Sequence, residues 1–419
     1  MKTRAVRLYG KKDMRLEEFE LPEMKDDEIL ALVISDSLCM SSYKAAIQGE
    51  DHKRIPQNIS TAPIMLGHEF CGEIVKVGKK WEDKFIPGKK FAIQPALNYK
   101  GSLDAPGYSY SYIGGDATYI IIPNEVMEMG CLLPYEGESF FGGSLAEPLS
   151  CVIGTFHAMY HTTAGSYIHD MGIKPGGNMA ILAGVGPMGL AAIDYIIHCP
   201  RRPKTLVVTD IDDARLARAA VLLPPAKAAK NGVELHYLNT ENSPDPIAAL
   251  DEKTAGMGYD DVLVFAPVGK LIEQADRILG KNGCLNFFAG PSDPEFSAML
   301  NFYNVHYEGT HIVGTSGGNT DDLIEALDMI GNGLLNPAIL ITHIGGLDAV
   351  PYATLNLPNI PGGKKLIYTG IDLPLTAIAD FEKLGETCPL FKKLHELTAQ
   401  TNGLWNLEAE QYLLGELGT

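Results

Sequence analysis

From about residue 178 to about 314, short apolar runs alternate with helical stretches, a rhythm that few folds can accommodate. The runs are 179–183, 205–209, 233–237, 261–265, 284–289 and 311–314. Strands separated in this way by helices predict a parallel sheet wound on both faces, a doubly wound α/β domain. Between the first run and its helix stands Gly184-Val185-Gly186-Pro187-Met188-Gly189. Such a glycine pattern is common by itself, and its position between an apolar run and the helical LAAIDYII gives it meaning. There the glycines permit a tight turn and close backbone approach to a pyrophosphate seated on the helix N-terminus. Asp210 closes the second run, about twenty residues beyond Gly189. An acid at that point bonds the ribose hydroxyls and repels a 2′-phosphate, which favours NAD(H) over NADP(H). Arg215, close by, leaves some tolerance for NADP(H) open. The candidate dinucleotide contacts are therefore Gly184, Gly186, Pro187, Met188, Gly189, Asp210 and Arg215. The plainer reading is a turn whose Asp210 caps the next helix.

The remainder of the chain has a different texture. Residues 1 to about 150 read as β-rich and interrupted, with apolar runs at 29–34, 72–77 and 118–122. Stretches 46–62 and 94–115 read as loops, and a helix is expected from about 146 to 160. Beyond about 318 come a helix (321–332), strand-like segments (338–342 and 365–369) and, from Ile371, a mostly helical amphipathic end. A chain of 419 residues is long for one hydrophobic core, so more than one domain is expected. Its formal net charge of −18 argues against a nucleic-acid partner, whose phosphates reward clustered Lys and Arg. No apolar stretch reaches the roughly 18 residues that a membrane-spanning helix needs. The first residues carry charge where a signal peptide needs an apolar core, and the seven cysteines are odd in number and scattered. A reducing cytoplasm is the expected setting.

Four side chains in the first 150 residues have metal-ligand chemistry: Cys39 in SLCMSSYK, His68 and Glu69 in MLGHEFCGEIVKVG, and Glu147 in SLAEPLSC. Catalytic zinc takes three protein ligands of these kinds and keeps a fourth position open. Each residue alone has an ordinary explanation, since a buried Cys usually packs a core and Glu-Pro often starts a helix. Their spacing is not that of a local zinc finger.

Gly67-His68-Glu69 with Gly72 and Gly78, Cys39 followed by Ser41, Glu147-Pro148-Leu149, and the later Gly-x-Gly-Pro-x-Gly turn occur in that order. In this the chain resembles the zinc-dependent medium-chain dehydrogenases and reductases of the polyol dehydrogenase type, over residues 1 to about 370. The resemblance implies a GroES-like catalytic domain (1–154 and 318–419, with a helical C-terminal extension) and an inserted Rossmann domain (155–317). It implies one catalytic zinc held by Cys39, His68 and a carboxylate, Glu147 first, with Glu69 as the alternative or exchanging partner. Ser41 would pass on the substrate proton, and Glu69 would assist. A homo-oligomer is also implied. There are departures: Met40 and Ser42 replace the usual Gly and Asp after the cysteine, Lys44 replaces a His, and Trp81 stands at a usually small or aliphatic position. No cysteine lies between 72 and 130, so the four-cysteine structural zinc of many relatives is not expected.

Within the family the resemblance is strongest to reductases of ketose phosphates. It implies interconversion of L-sorbose 1-phosphate and D-glucitol 6-phosphate with NAD(H). His52, Lys53 and Arg54 are candidate partners for the phosphate, unless they are merely a solvated loop. A general polyol or secondary-alcohol dehydrogenase would share every catalytic residue. Outside enzymes, the same scaffold could serve as a cofactor-binding structural or regulatory protein.

Overall fold

A computed structural model of the chain describes residues 1–163, 165–291 and 293–418. The chain divides into two compact units, one of Met1–Glu147, Asn319–Gly333 and Pro337–Thr419, the other of Pro148–Gly318 and Leu334–Asn336. The division thus falls at Glu147/Pro148, seven residues before the expected 154/155, and inside the single helix Phe140–Ala158.

The first unit is built on an eight-stranded sheet. Its central strand, Ile29–Leu38, alternates buried and half-buried positions before becoming buried throughout. Phe70–Val77 and Lys364–Tyr368 pair with it antiparallel, and Tyr119–Ile122 pairs along its first half. These registers set Lys365 opposite Leu38 and Phe70 opposite Asp36. Cys39 and Glu69, just outside the ends of their strands, and Lys364, the first residue of its own, therefore share one end of the sheet. Ile29, Val33, Phe70, Phe91, Ile120 and Trp81 fill the core on this sheet, so the unusual Trp81 is a packing residue. Stretch 94–115 contains no strand, as expected, but its Ala105 and Tyr108 pack a second cluster with Leu8, Ile59 and Leu66.

The second unit carries a six-stranded sheet, all its pairings parallel. In chain order along this sheet the strands run 3-2-1-4-5-6, a doubly wound dinucleotide-binding topology. They are Asn178–Leu182, Thr205–Asp210, Glu234–Asn239, Tyr259–Val264, Leu279–Phe287 and His311–Gly314. Each overlaps its expected run, and the inner strands Asn178–Leu182, Thr205–Asp210 and Tyr259–Val264, buried almost throughout, read as continuous apolar segments.

Beyond residue 337 the structure departs from expectation in one place. The anticipated strand 338–342 is a 3-10 turn, Pro337–Leu340, followed by the strand Ile341–Gly346. The C-terminal end folds as three helices, Phe381–Gly385, Pro389–Ala399 and Leu407–Leu417. All seven cysteines are free, and among the described residues no helix is long and apolar enough to cross a membrane.

Candidate metal centre and dinucleotide turn

Cys39 directly follows the central strand and is the N-cap of the short helix Met40–Gln48. His68 and Glu69 stand immediately before the strand Phe70–Val77, after a turn that needs glycine at 67. Gly67 has φ +86°, and a Cβ there would meet the Asp116 backbone nitrogen at 2.6 Å. One ligand atom from each of Cys39, His68 and Glu69 can be chosen so that all lie within 4.8 Å of one another. Thiol, imidazole and carboxylate form a donor set that suits zinc, so the residues present fit the metal. Glu147, half-buried on the helix Phe140–Ala158, is close enough to interact electrostatically with all three.

The protonation states follow from burial. Burial lowers the His68 value, which keeps its imidazole neutral and able to ligate. Burial, aided by Glu69, raises the Cys39 thiol. It also pushes Glu147 up to about 7, against the opposing pull of His68. Glu69 goes the other way: burial works to raise it, but Lys364 holds it below the ordinary carboxylate range.

The expected Ser41 and several residues outside the expected set build the surroundings. Lys364 Nζ donates to both oxygens of Glu69, at 2.5 and 2.6 Å. Ser42, in the position of the missing Asp, lies 3.3 Å from His68 Nδ1. Ser41 Oγ donates to the Cys39 sulfur at 3.0 Å and lies 3.2 Å from His68 Nε2. Tyr108 Oη also lies 3.2 Å from that nitrogen. Asp36, buried, accepts from the Glu69 backbone N–H at 3.2 Å. Its own value is raised by burial and by the neighbouring Asp116, so the two carboxyls cannot both be charged easily. Of these, Ser41 was expected from the sequence as the serine two residues after Cys39, and Ser42 carried a signal as a departure from a pattern. Lys364, Tyr108 and Asp36 belong to no local motif.

The loop of His52, Lys53 and Arg54 reaches the same centre through Tyr108. His52 stacks on the Tyr108 ring at 5.8 Å, and the Arg54 guanidinium stands 5.7 Å from the ring centre. Burial lowers the His52 value, so it contributes a neutral ring, while Lys53 is exposed.

In the second unit the glycine turn joins the strand Asn178–Leu182 to the helix Pro187–His198, with Gly186 as N-cap and Pro187 and Met188 in the first turn. A Cβ on Gly189 would lie 2.2 Å from the Gly184 carbonyl oxygen, so the helix can approach the turn only with glycine there. Asp210 is buried at the end of its strand and accepts from the backbone N–H groups of Ile211 and Asp212. The next helix is capped by Asp212, which accepts from the Arg215 N–H; the plainer reading of Asp210 does not hold. Arg215 Nη1 stands 3.7 Å from Asp210, and its guanidinium is also the nearest group to a Cβ built on Gly186.

The two units, one with a GroES-like arrangement around a metal-ligand cluster and one doubly wound, have counterparts in known families. The GroES-like domain of alcohol dehydrogenases matches residues 25–130, and zinc-binding dehydrogenases match residues 187–332. The chain belongs to the zinc-binding dehydrogenases with a GroES-like alcohol dehydrogenase domain. It is 52% identical to L-sorbose 1-phosphate reductase of Klebsiella pneumoniae, covering 98% of this chain and 97% of that protein. It is equally similar, at 52% with the same coverages, to mannitol-1-phosphate 5-dehydrogenase of Aliivibrio fischeri. Among solved structures, 2R,3R-butanediol dehydrogenase of Bacillus subtilis matches with a TM-score of 0.68 at 20% identity, covering 87% of this chain and 99% of its own. That likeness shows the fold.

Proposed function

We propose that this protein is a zinc-dependent oxidoreductase interconverting a ketose phosphate and a sugar alcohol phosphate, L-sorbose 1-phosphate and D-glucitol 6-phosphate, with NAD(H). The observation that carries the reading is the Tyr108 bridge. One end of this residue touches the metal-ligand His68, while its ring packs against His52 and Arg54. A substrate whose oxygen is at the metal centre would have Arg54 and Lys53 near at hand for its phosphate. Similarity to two enzymes named for phosphorylated sugars supports the same reading.

Cys39, His68 and Glu147 are the proposed zinc ligands. Glu69, tied to Lys364, is the carboxylate that exchanges with Glu147. When bound, zinc supplies Lewis acidity toward a hydroxyl or carbonyl oxygen, and the dinucleotide carries the hydride. The protein's own part is to hold the reacting groups in line and to move one proton. Ser41, half-buried beside Cys39 and His68, is the proposed first carrier of that proton. Ser42 fixes the His68 ring through Nδ1, and Gly184, Gly186, Pro187, Met188 and Gly189 receive the pyrophosphate. Asp210 favours NAD(H); the adjacent Arg215 offers a 2′-phosphate a partner, so NADP(H) is the lesser cofactor. The active form is proposed to be a homo-oligomer in the cytoplasm.

The test is NADH oxidation by zinc-loaded protein with L-sorbose 1-phosphate beside free sorbose, before and after chelator, with mannitol 1-phosphate and NAD+ as a third arm. Chelator-sensitive activity on L-sorbose 1-phosphate alone supports the proposal. Turnover of mannitol 1-phosphate in its place moves the substrate to that hexitol. Equal or better activity on free sorbose leaves a general polyol dehydrogenase.

A further inference from the structure

The C-terminal helices lie beyond both family matches, the later of which ends at residue 332. They nevertheless end at the metal centre's foundation. Glu410, on the helix Leu407–Leu417, is 1% exposed. Its carboxylate accepts from the Phe140 N–H at 2.8 Å, the Phe141 N–H at 2.9 Å and the Tyr368 hydroxyl at 2.8 Å. Trp405, also buried, donates to the same Tyr368 oxygen at 2.8 Å. Tyr368 lies on the strand that carries Lys364. The tail therefore grips two elements at once, the strand holding the partner of Glu69 and the helix holding Glu147.

That helix depends on its N-terminal anchor for a covalent reason. Pro148 stands inside it, directly after Glu147. A proline has no N–H to donate to the carbonyl four residues back, so the backbone ladder is interrupted at Ser144. The segment 140–147 is thus a two-turn piece with weakened connection to the rest of its helix. Ser144 Oγ, which donates to the Ser35 carbonyl at 3.0 Å, is a further side-chain tie on this segment. Glu147 lies seven residues beyond Phe140, two turns along the same face. Displacement at Phe140 is carried along so short a rigid piece to Glu147.

We infer that Glu410 is a positioning residue of the metal centre: the C-terminal extension, through Glu410, sets where Glu147 presents its carboxylate to Cys39 and His68. This rests on the reading of Glu147 as a zinc ligand.

The experiment uses the full chain and two readouts that loss of stability alone would not move. Zinc affinity is measured by competition with a chromophoric chelator, and the cobalt(II)-substituted protein is followed by its d–d absorption. Glu410→Gln, Glu147→Gln and the double variant are compared. Partners that orient metal ligands change affinity by about 10–100-fold. Glu410→Gln is expected to weaken zinc binding about tenfold and to shift the cobalt bands, and to add less than about twofold in the Glu147→Gln background. Tyr368→Phe, which keeps the carboxylate and its backbone bonds, should show a smaller shift with the same non-additivity; it serves if Glu410→Gln does not fold. A lower melting temperature with unchanged affinity and cobalt spectrum overturns the inference. So does an undiminished effect of Glu410→Gln when Glu147 is already Gln. If Glu147→Gln alone leaves zinc binding intact, the ligand reading fails first and takes the inference with it.

Discussion

Lys364→Met tests the buried ion pair that the structure adds to the site. Glu69 is 1% exposed and Lys364 8%, and the ammonium bonds both carboxylate oxygens. Removing the lysine leaves the carboxylate two choices. It can remain charged and unpaired, which costs about 3–5 kcal/mol. Or it can take a proton: from the ordinary value of 4.5, neutralisation at pH 7 costs about 3.4 kcal/mol, at about 1.36 kcal/mol per unit. The cheaper route sets the loss at about 3–4 kcal/mol at pH 7, and at about 1.4 kcal/mol at pH 5.5. The sign follows from the direction of the shifts. In the native protein Glu69 is held low, so its stabilisation is present above the ordinary carboxylate value and is lost only as pH falls through the folded value. In the variant Glu69 is raised, so its penalty grows with pH. The stability gap between the two proteins should therefore narrow as pH falls from 7 to 5.5. Urea unfolding of metal-free protein, followed by tryptophan emission, reads this cleanly, because Trp81 and Trp405 are the only tryptophans and both belong to the first unit. The double variant Lys364→Met/Glu69→Gln should recover most of the loss at pH 7. A gap under about 1 kcal/mol at pH 7, or one that does not change with pH, would refute the account.

Other outcomes are equally direct. Gly189→Ala drives a Cβ to 2.2 Å from the Gly184 oxygen, so NADH binding, read by quenching of cofactor fluorescence, should weaken at least tenfold while zinc content stays at the native level. Cys39→Ser and His68→Ala should lose zinc and turnover yet keep NADH affinity within about twofold; loss of both together would indicate misfolding. His161, buried and 2.9 Å from Asp261, has a raised value because that carboxylate outweighs burial, which by itself lowers it. Its contribution is therefore fully present below the ordinary 6.5 and is lost as pH rises through the folded value. As pH rises from 6.5 to the folded value, the melting temperature of His161→Asn should fall less steeply than that of the native protein.

Much of the fold was legible because its signals are local. The six strands of the parallel sheet announce themselves as apolar runs, and the glycine turn is marked by position as well as composition. The helix expected from about 146 begins instead at Phe140, through the glycine-bearing FFGGSLA. Two glycines argue against a helix start there, and the anchor that holds it, Glu410, stands 270 residues away. Similarly, the strand beyond Leu340 runs on through Gly345 and Gly346, poor strand formers that succeed by pairing with Ile367 and Tyr368.

For the site, sequence supplied the reactive groups: a cysteine, a histidine and two glutamates in recognisable settings, and the glycines and acid of the dinucleotide turn. Tertiary structure decided what each group faces. Lys364 meets Glu69 across 295 residues, because two strands register against the same central strand and end together. Tyr108 reaches His68 from a stretch whose sequence looks like a surface loop. Chemistry resides in single side chains and can be read one residue at a time. Burial, pairing and charge state depend on neighbours brought together only when the sheet closes, and no spacing along the chain encodes them.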